Sequence, residues 1–514
     1  MQGGDQSEFG STWYSRVTPL PPARAELKFE IDVDVCVIGG GLAGLTVARE
    51  VVRRGWSAAV LEAKRIAWNA SGRNSGLVMP GYPANIEKVV ERIGLPATRA
   101  LWALSEAGVR YVRDTIAEIG MSGVVQGYGW LDVSKVDDRE ATLARARLLS
   151  EDLGVEVQAW SLEQVRDVLR TNHYFSAVNH PHAFQINPLA YALALADAAE
   201  RAGVYIFENS PALSVDPAGV RKRVPTPHGR VRAGRVVLAG NVYLGAVAER
   251  IADTLVPVTA YTGVTKPLGA RLESVMSYRG AVSDSRYGDY SYRIIDRDRL
   301  MWTGGISIRN RNAAWMEKRL ARAIRSTYPE LGTVVFENFW SGTMGFPVHR
   351  MPQIGELQPG VWLTTGFGGQ GINTSAIAGE LIARAIIESD GTWQTFLPYE
   401  LVWAGGTAGR AVTQAMLSWW HASEAFAANM ARRREALQQR RQREEAGDEP
   451  LEIVRRPAYR VVKASRRMLA ERLPARPSPD APIAAPGALP HSARARAQIA
   501  GPAPAPARDS EEAV

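Results

Sequence analysis

Gly39, Gly41 and Gly44 follow the apolar run Asp34-Val35-Cys36-Val37-Ile38 and open a segment with Leu42, Leu45, Val47, Ala48, Val51 and Val52 at helical spacing. A second apolar run, Ala58-Ala59-Val60-Leu61, ends at Glu62. In such a strand–turn–helix–strand unit the first glycine allows a tight turn, the second lets the backbone approach a diphosphate, and the third lets helix and strand pack closely. The diphosphate sits at the helix N-terminus, here at Leu42 and Ala43, where the helix dipole favours negative charge. Glu62 is placed to accept from a ribose hydroxyl, with Ala63 and Arg65 just beyond it. The spacing predicts a dinucleotide site.

Other elements must position this unit. Trp68-Asn69-Ala70-Ser71-Gly72-Arg73-Asn74-Ser75-Gly76 is too rich in Gly, Ser and Asn for a core element and reads as a loop. Helical patterns follow near 84–119 and 138–153, with a strand over 124–134 and a capped helix over 161–169. Pro188 opens a helix to Ala202, and strands follow over 204–207 and 231–238, the last closing on Ala239-Gly240. From Pro257 to Ser307 the alternation turns strand-rich, with Asp296-Arg297-Asp298-Arg299 as a hairpin turn. Val361-Trp362-Leu363-Thr364-Thr365 then runs into Gly366-Phe367-Gly368-Gly369-Gln370-Gly371 and a helix to Glu388, a second strand–glycine–helix device. The cofactor domain is therefore discontinuous.

The expected class is α+β. A Rossmann-like α/β domain (31–80, 175–256 and 345–400) interleaves with a substrate domain on a mixed or antiparallel sheet (81–174 and 257–344). An N-terminal arm covers 1–30, an amphipathic helix 401–430, and a basic, partly disordered tail 431–514. The chain has 514 residues and a formal charge of +8, but six of those charges fall in 431–514, which holds 17 Lys and Arg against 11 Asp and Glu. The basic balance thus describes an appendage, not a nucleic-acid-binding body. A single cysteine, Cys36, excludes an intramolecular disulfide framework and reads as a small buried hydrophobe in a reducing compartment. With neither a signal pattern nor a long uncharged apolar run, the expectation is a cytoplasmic protein. The helix at 408–430, with Val412, Met416, Trp419, Phe426 and Met430 on one stripe, reads as docked on the body, its stripe ordinary core. Membrane-surface or partner-protein contact through helix and tail is the alternative.

Several motifs together resemble the D-amino-acid oxidase and glycine oxidase superfamily of FAD-dependent oxidoreductases, within it the gamma-glutamylputrescine oxidase-like branch. They are Ser11-Thr12-Trp13-Tyr14, the first glycine turn, Ala70-Ser71-Gly72-Arg73-Asn74-Ser75-Gly76, the Pro188 helix, Asp284 before Tyr290-Ser291-Tyr292-Arg293, Trp340-Ser341-Gly342, Arg350-Met351-Pro352-Gln353-Ile354-Gly355, and the closing glycine turn. The resemblance spans roughly 11–425 and implies FAD. It assigns Gly39, Gly41 and Gly44 to the diphosphate, Glu62 to the adenosine ribose, and Ala239-Gly240 to the adenine side. Ser71, Gly72, Arg73, Asn74 and Ser75 would run beside the ribityl chain and flavin. Gly368, Gly369, Gln370, Gly371 and Ile372 would aim N–H groups and a helix dipole at the flavin edge that gains negative charge on reduction. Covalent relatives use a Cys or His beside the flavin; Cys36 is on the wrong element and no histidine precedes His173, so FAD is expected to be non-covalent.

Flavin amine oxidation moves a hydride from the carbon bearing a neutral amine, and the imine then hydrolyses. Amino-acid oxidases of the family clamp the substrate carboxylate with arginines. One such Arg follows the Trp-x-Gly strand, where this chain has Met344. Another lies in the closing turn, where it has Gly368, Gly369 and Gln370. The substrate implied is a small amine without a carboxylate on the reacting carbon, with O₂ or another electron acceptor. A dehydrogenase serving a quinone or carrier, and a non-catalytic flavin-bearing scaffold, remain alternatives. Tyr292, Arg293, Trp340 and His349 are the candidate substrate-side residues. His173, His180 and His182 lack acidic companions and read as surface loop residues, with no metal expected.

Overall fold

The first strand, Glu30–Ile38, is exposed and alternating at its start and wholly buried at its end, as expected where a parallel strand runs under helices on both faces. Its neighbours in the computed structural model are parallel: Ala58–Leu61 on one side and Arg230–Leu238 on the other. Tyr205–Phe207 extends one edge, and Val361–Thr365, then antiparallel Gln353–Gln358, extend the other. Lys222–Pro225 pairs with Arg230–Leu238 to complete seven strands. The structure describes residues 10–284, 290–308 and 311–445.

Helices Leu42–Arg53 and Gly371–Glu388 cover this sheet and touch directly. Their approach depends on Gly379, where a Cβ would lie 2.6 Å from the Thr46 side chain. Two strand–glycine–helix devices far apart in the chain thus become neighbours. Pro188–Arg201 packs beside them, its N-terminus capped by the Asn187 side chain.

A nine-stranded mixed sheet forms the second layer, with the path Phe336–Pro347, Leu255–Thr265, Arg299–Ser307, Tyr290–Ile295, Ala281–Ser283, Val125–Ser134, Ser176–Ile186 and Leu77–Val78, and with Gln158–Trp160 also on Ser176–Ile186. The fold is α+β, with a Rossmann-like sheet beside this larger one. Leu77–Val78 and Ser176–Ile186, which sequence assigns to the cofactor part, pair in the second sheet. A short strand at Gln158–Trp160 precedes the capped helix. The helix expected over 138–153 is Arg139–Arg147 followed by a wider turn, Leu148–Asp152.

The chain divides into a body, residues 1–442, and a C-terminal unit, 443–514. Helix Gly406–Glu445 is longer than expected, and its stripe is not core. Val412, Met416, Trp419 and Phe426 are exposed, Trp419 by 72%. The helix instead docks through buried Ala428 and Ala431, an Arg432 hydrogen bond to His173, and a Glu435 ion pair with Arg166. The tail from 446 on, including the segment expected to be disordered, lies outside the described residues. Among the described residues no helix is long and apolar enough to cross a membrane.

Candidate active site

The second glycine device, and the start of the helix after the first at Leu42, reach one cavity of about 330 Å³, which is walled by strands of the larger sheet and by Ser71, Arg73, Asn74 and Ser75. At the first turn Gly39 takes φ +116°, and a Cβ there would lie 2.8 Å from the Ala239 carbonyl group. Ala239 and Gly240 therefore press against the turn. A Cβ on Gly44 would lie 2.0 Å from the Gly39 carbonyl oxygen, so that position tolerates no side chain. Gly41 precedes the helix, and Ser71 Oγ accepts the Leu42 N–H at 3.0 Å. The remaining first-turn N–H groups, Ala43 and Gly44 among them, have no acceptor inside the helix and suit an anion.

Glu62 is held by its backbone surroundings. Its carboxylate accepts the Gly40 N–H at 2.7 Å and the Lys64 N–H at 2.8 Å. Burial raises its pKa. Ala63 is exposed. Arg65 departs from expectation: it is buried, its Nε donates to Glu208 at 2.9 Å and its Nη2 to the Pro21 carbonyl. That ion pair braces the loop from beneath rather than facing a cofactor.

The Ser-Gly-Arg-Asn segment lines the cavity through Ser71, Arg73, Asn74 and Ser75. Asn74 staples it, donating to the Ala70 and Ser71 carbonyls and accepting the Gly76 N–H. Gly72 faces inward, where a Cβ would lie 2.4 Å from the Ala67 carbonyl oxygen. At the opposite side Gly368, Gly369, Gln370, Gly371 and Ile372 line the wall at the start of the Gly371–Glu388 helix. The buried Gln370 Oε1 has no hydrogen-bond partner within the protein. The helix N-terminus at Leu42, the glycine-lined wall at Gly368, Gly369 and Gly371, and the orphaned Gln370 acceptor fit an FAD.

The four expected substrate-side residues lie elsewhere. Tyr292 and Arg293 are adjacent on one strand, so their side chains point to opposite faces. Tyr292 faces the core, stacked on Trp302 at 4.1 Å, with its hydroxyl bonded to Tyr174 and Tyr328. Arg293, 3% exposed, donates to Gln126 Oε1 and the Ile186 carbonyl and lines a small space behind Ser75, not the main cavity. Trp340 Nε1 donates to the Arg73 carbonyl. His349 accepts the Met351 N–H at Nδ1, which leaves Nε2 to donate to the Glu400 carbonyl. Neither Trp340 nor His349 lines the cavity.

Other residues take their place. Tyr82, Trp102, Trp130, Leu149, Ile306, Met344 and Phe346 supply apolar surface, and Asp132, Arg145, His180 and Arg350 supply polar groups. Asp132 pairs with Arg145 at 3.0 Å. His180 is a buried strand residue rather than a loop surface residue, and burial, with Arg145 nearby, pushes its pKa down to about 3. His173 is likewise packed rather than solvated, while His182 is exposed beside Glu156. The even spacing of Trp130 and Asp132 carried a signal that they share a face. That His180 stands opposite Trp130 required the pairing of two strands distant in sequence.

Comparison with known proteins agrees with this fold. The family of FAD dependent oxidoreductases designated DAO matches residues 34–385. The chain is 30% identical over 386 residues to gamma-glutamylputrescine oxidoreductase of Escherichia coli, covering 74% of this chain and 89% of that protein. It is 26% identical over 366 residues to the oxidoreductase OrdL of Haemophilus influenzae, covering 70% and 83%. Among solved structures, glycine oxidase from Bacillus cereus superposes with a TM-score of 0.58 at 18% identity, over 71% of this chain and 97% of that one. L-proline dehydrogenase from P. horikoshii superposes with a TM-score of 0.60 at 18% identity, over 73% and 98%.

Proposed function

Because this chain belongs to the DAO family of FAD-dependent oxidoreductases, with non-covalent FAD as its cofactor, we propose that it oxidises a small amine whose reacting carbon carries no carboxylate. When bound, FAD supplies a two-electron acceptor for the hydride on the amine-bearing carbon, and the resulting imine hydrolyses to a carbonyl compound and ammonia or an amine. Gly39, Gly41, Leu42, Ala43, Gly44 and Glu62 would hold its diphosphate and ribose. Ser71, Arg73, Asn74, Ser75 and Gly368 to Ile372 would hold its flavin end.

Met344 carries the substrate assignment. It lines the cavity at about the place where the family resemblance puts a carboxylate-binding arginine. Each cationic side chain on the wall is already engaged within the protein: Arg145 with Asp132, Arg73 with the Ser341 carbonyl, and Arg350 with its own neighbours. An α-carboxylate would enter this site without a free bidentate fork, which makes its desolvation costly. Trp102, Trp130 and Tyr82 give walls that exclude water, and dry walls favour the neutral amine that hydride removal requires. The likeness to gamma-glutamylputrescine oxidoreductase supports an alkylamine or acylated polyamine as substrate.

Anaerobic mixing of the holoenzyme with an amine panel tests this reading. Bleaching of the yellow absorbance by alkylamines or acylated diamines is expected. Efficient reduction by glycine or D-alanine, with inertness toward the amines, would overturn it. O₂ is the proposed acceptor; re-oxidation of the reduced enzyme by a quinone but not by air would reassign it as a dehydrogenase.

A further inference from the structure

Trp130 and His180 are direct partners in the antiparallel pairing of Val125–Ser134 with Ser176–Ile186. Their rings stack with centroids 4.3 Å apart at 26°. His180 is 3% exposed, and neither of its ring nitrogens has a hydrogen-bond partner in the protein. Trp130 Nε1 and Arg145 Nε are likewise buried without one. Buried polar groups are almost always satisfied, so four such atoms on residues that line one cavity mark a place built for something outside the chain. None of these residues belongs to the glycine turns or to the Ser71–Ser75 segment that fit the cofactor.

We propose that Trp130, His180 and the Asp132–Arg145 pair form a specificity subsite for an uncharged, planar amide group carried on the substrate away from its reacting amine. This rests on the amine-oxidation reading and deepens it. The balance of groups selects the amide. Asp132 and Arg145 neutralise each other at 3.0 Å, so neither a second ammonium nor a carboxylate would find an uncompensated opposite charge. Burial keeps His180 neutral, with one ring nitrogen donating and the other accepting. Trp130 and Arg145 add donors. An amide offers a carbonyl acceptor and an N–H donor on one flat frame, matching both the mixed polarity and the aromatic stack.

The test measures binding as well as turnover. N-Butylacetamide, which has no oxidisable amine, is titrated into the holoenzyme while the flavin spectrum and tryptophan fluorescence are followed. Saturable binding is expected, with Kd raised at least about tenfold in His180→Phe, which keeps the stack and removes both nitrogens. In turnover, the ratio of kcat/KM for an N-acetylated diamine to that for an alkylamine of equal length should fall at least about tenfold in the same variant. Asp132→Asn leaves Arg145 uncompensated and should shift preference toward amines bearing a distal carboxylate. Retention of bound FAD by each variant shows that it has folded. Absence of saturable amide binding, or Kd values equal in wild type and His180→Phe, overturns the subsite even if amines bleach the flavin. Amide binding that depends on His180, with no amine bleaching the flavin, would instead uphold the subsite and sink the amine-oxidation reading.

Discussion

Trp340 donates its indole N–H to the Arg73 carbonyl at 3.0 Å, tying the Phe336–Pro347 strand of the larger sheet to the loop beside the first glycine turn. Tyr14 meets the same indole edge-on at 5.6 Å and donates to the Asn74 carbonyl. Trp340 and Tyr14 together hold the Ala70–Arg73 segment, a short helix where the sequence reads as a loop, in place. Trp340→Phe removes the donor and leaves a part-buried carbonyl unsatisfied, a loss of about 1–3 kcal/mol. The urea midpoint of the holoenzyme should fall accordingly, while kcat at saturating FAD changes only a few-fold. A collapse of kcat with unaltered stability would restore Trp340 to the chemistry.

Gly44 gives a sharper contrast. Gly44→Ala drives a Cβ to within 2.0 Å of the Gly39 carbonyl oxygen and should yield colourless or unfolded protein. Gly55→Ala meets nothing within 4 Å and bears only the strain of a positive φ, roughly 1–2 kcal/mol. Absorbance ratios of the purified variants, yellow against protein, separate the two outcomes.

Glu62 organises the turn through its hydrogen bonds to the Gly40 and Lys64 N–H groups. Glu62→Gln keeps the size and weakens those charge-assisted bonds, and should loosen FAD by about tenfold. Ultrafiltration of free flavin measures the change. Unaltered retention would remove Glu62 from the cofactor site.

His349 has both ring nitrogens occupied by backbone groups. His349→Gln should leave kcat/KM with the best amine within about twofold and lower thermal stability by about 1 kcal/mol. A hundredfold loss of turnover would contradict its placement outside the cavity.

Acid should destabilise the protein through His173 and His180, whose folded pKa values are both lowered to about 3, chiefly by burial. Arg432 and Lys135 add to the effect at His173, and Arg145 at His180. Between the unfolded value near 6.5 and the folded value, the unfolded chain binds protons that the folded chain refuses. Stability is therefore intact above about pH 6.5 and falls as the pH drops toward 3, by up to about 1.4 kcal/mol per pH unit for each histidine. Urea midpoints at neutral and mildly acidic pH should converge in His173→Gln and His180→Phe relative to the wild type.

The cofactor turns were legible in the sequence because their physics is local. Only a residue without Cβ fits at Gly39 and Gly44, and the helix follows within a few residues, so glycine spacing and apolar periodicity carry the information. The same holds for the capping box at Ser161 and Gln164. Arg65 could not be read this way, because Glu208 reaches it from a distant part of the chain. The substrate wall was a matter of strand pairing. Parity decides that Ser291 faces the cavity while Tyr292 faces the core, and parity is visible in a sequence only as a choice between two faces. Which face meets the cofactor depends on how Val125–Ser134, Ser176–Ile186 and Tyr290–Ile295 assemble into one sheet, and on the packing of that sheet against the Rossmann-like one. His180 stacks on Trp130 and Asp132 pairs with Arg145 only once that assembly exists. Sequence determined the two glycine turns, since close backbone approach leaves its mark in glycines. Tertiary structure alone decided which strand residues line the cavity, since long-range pairing leaves no local mark.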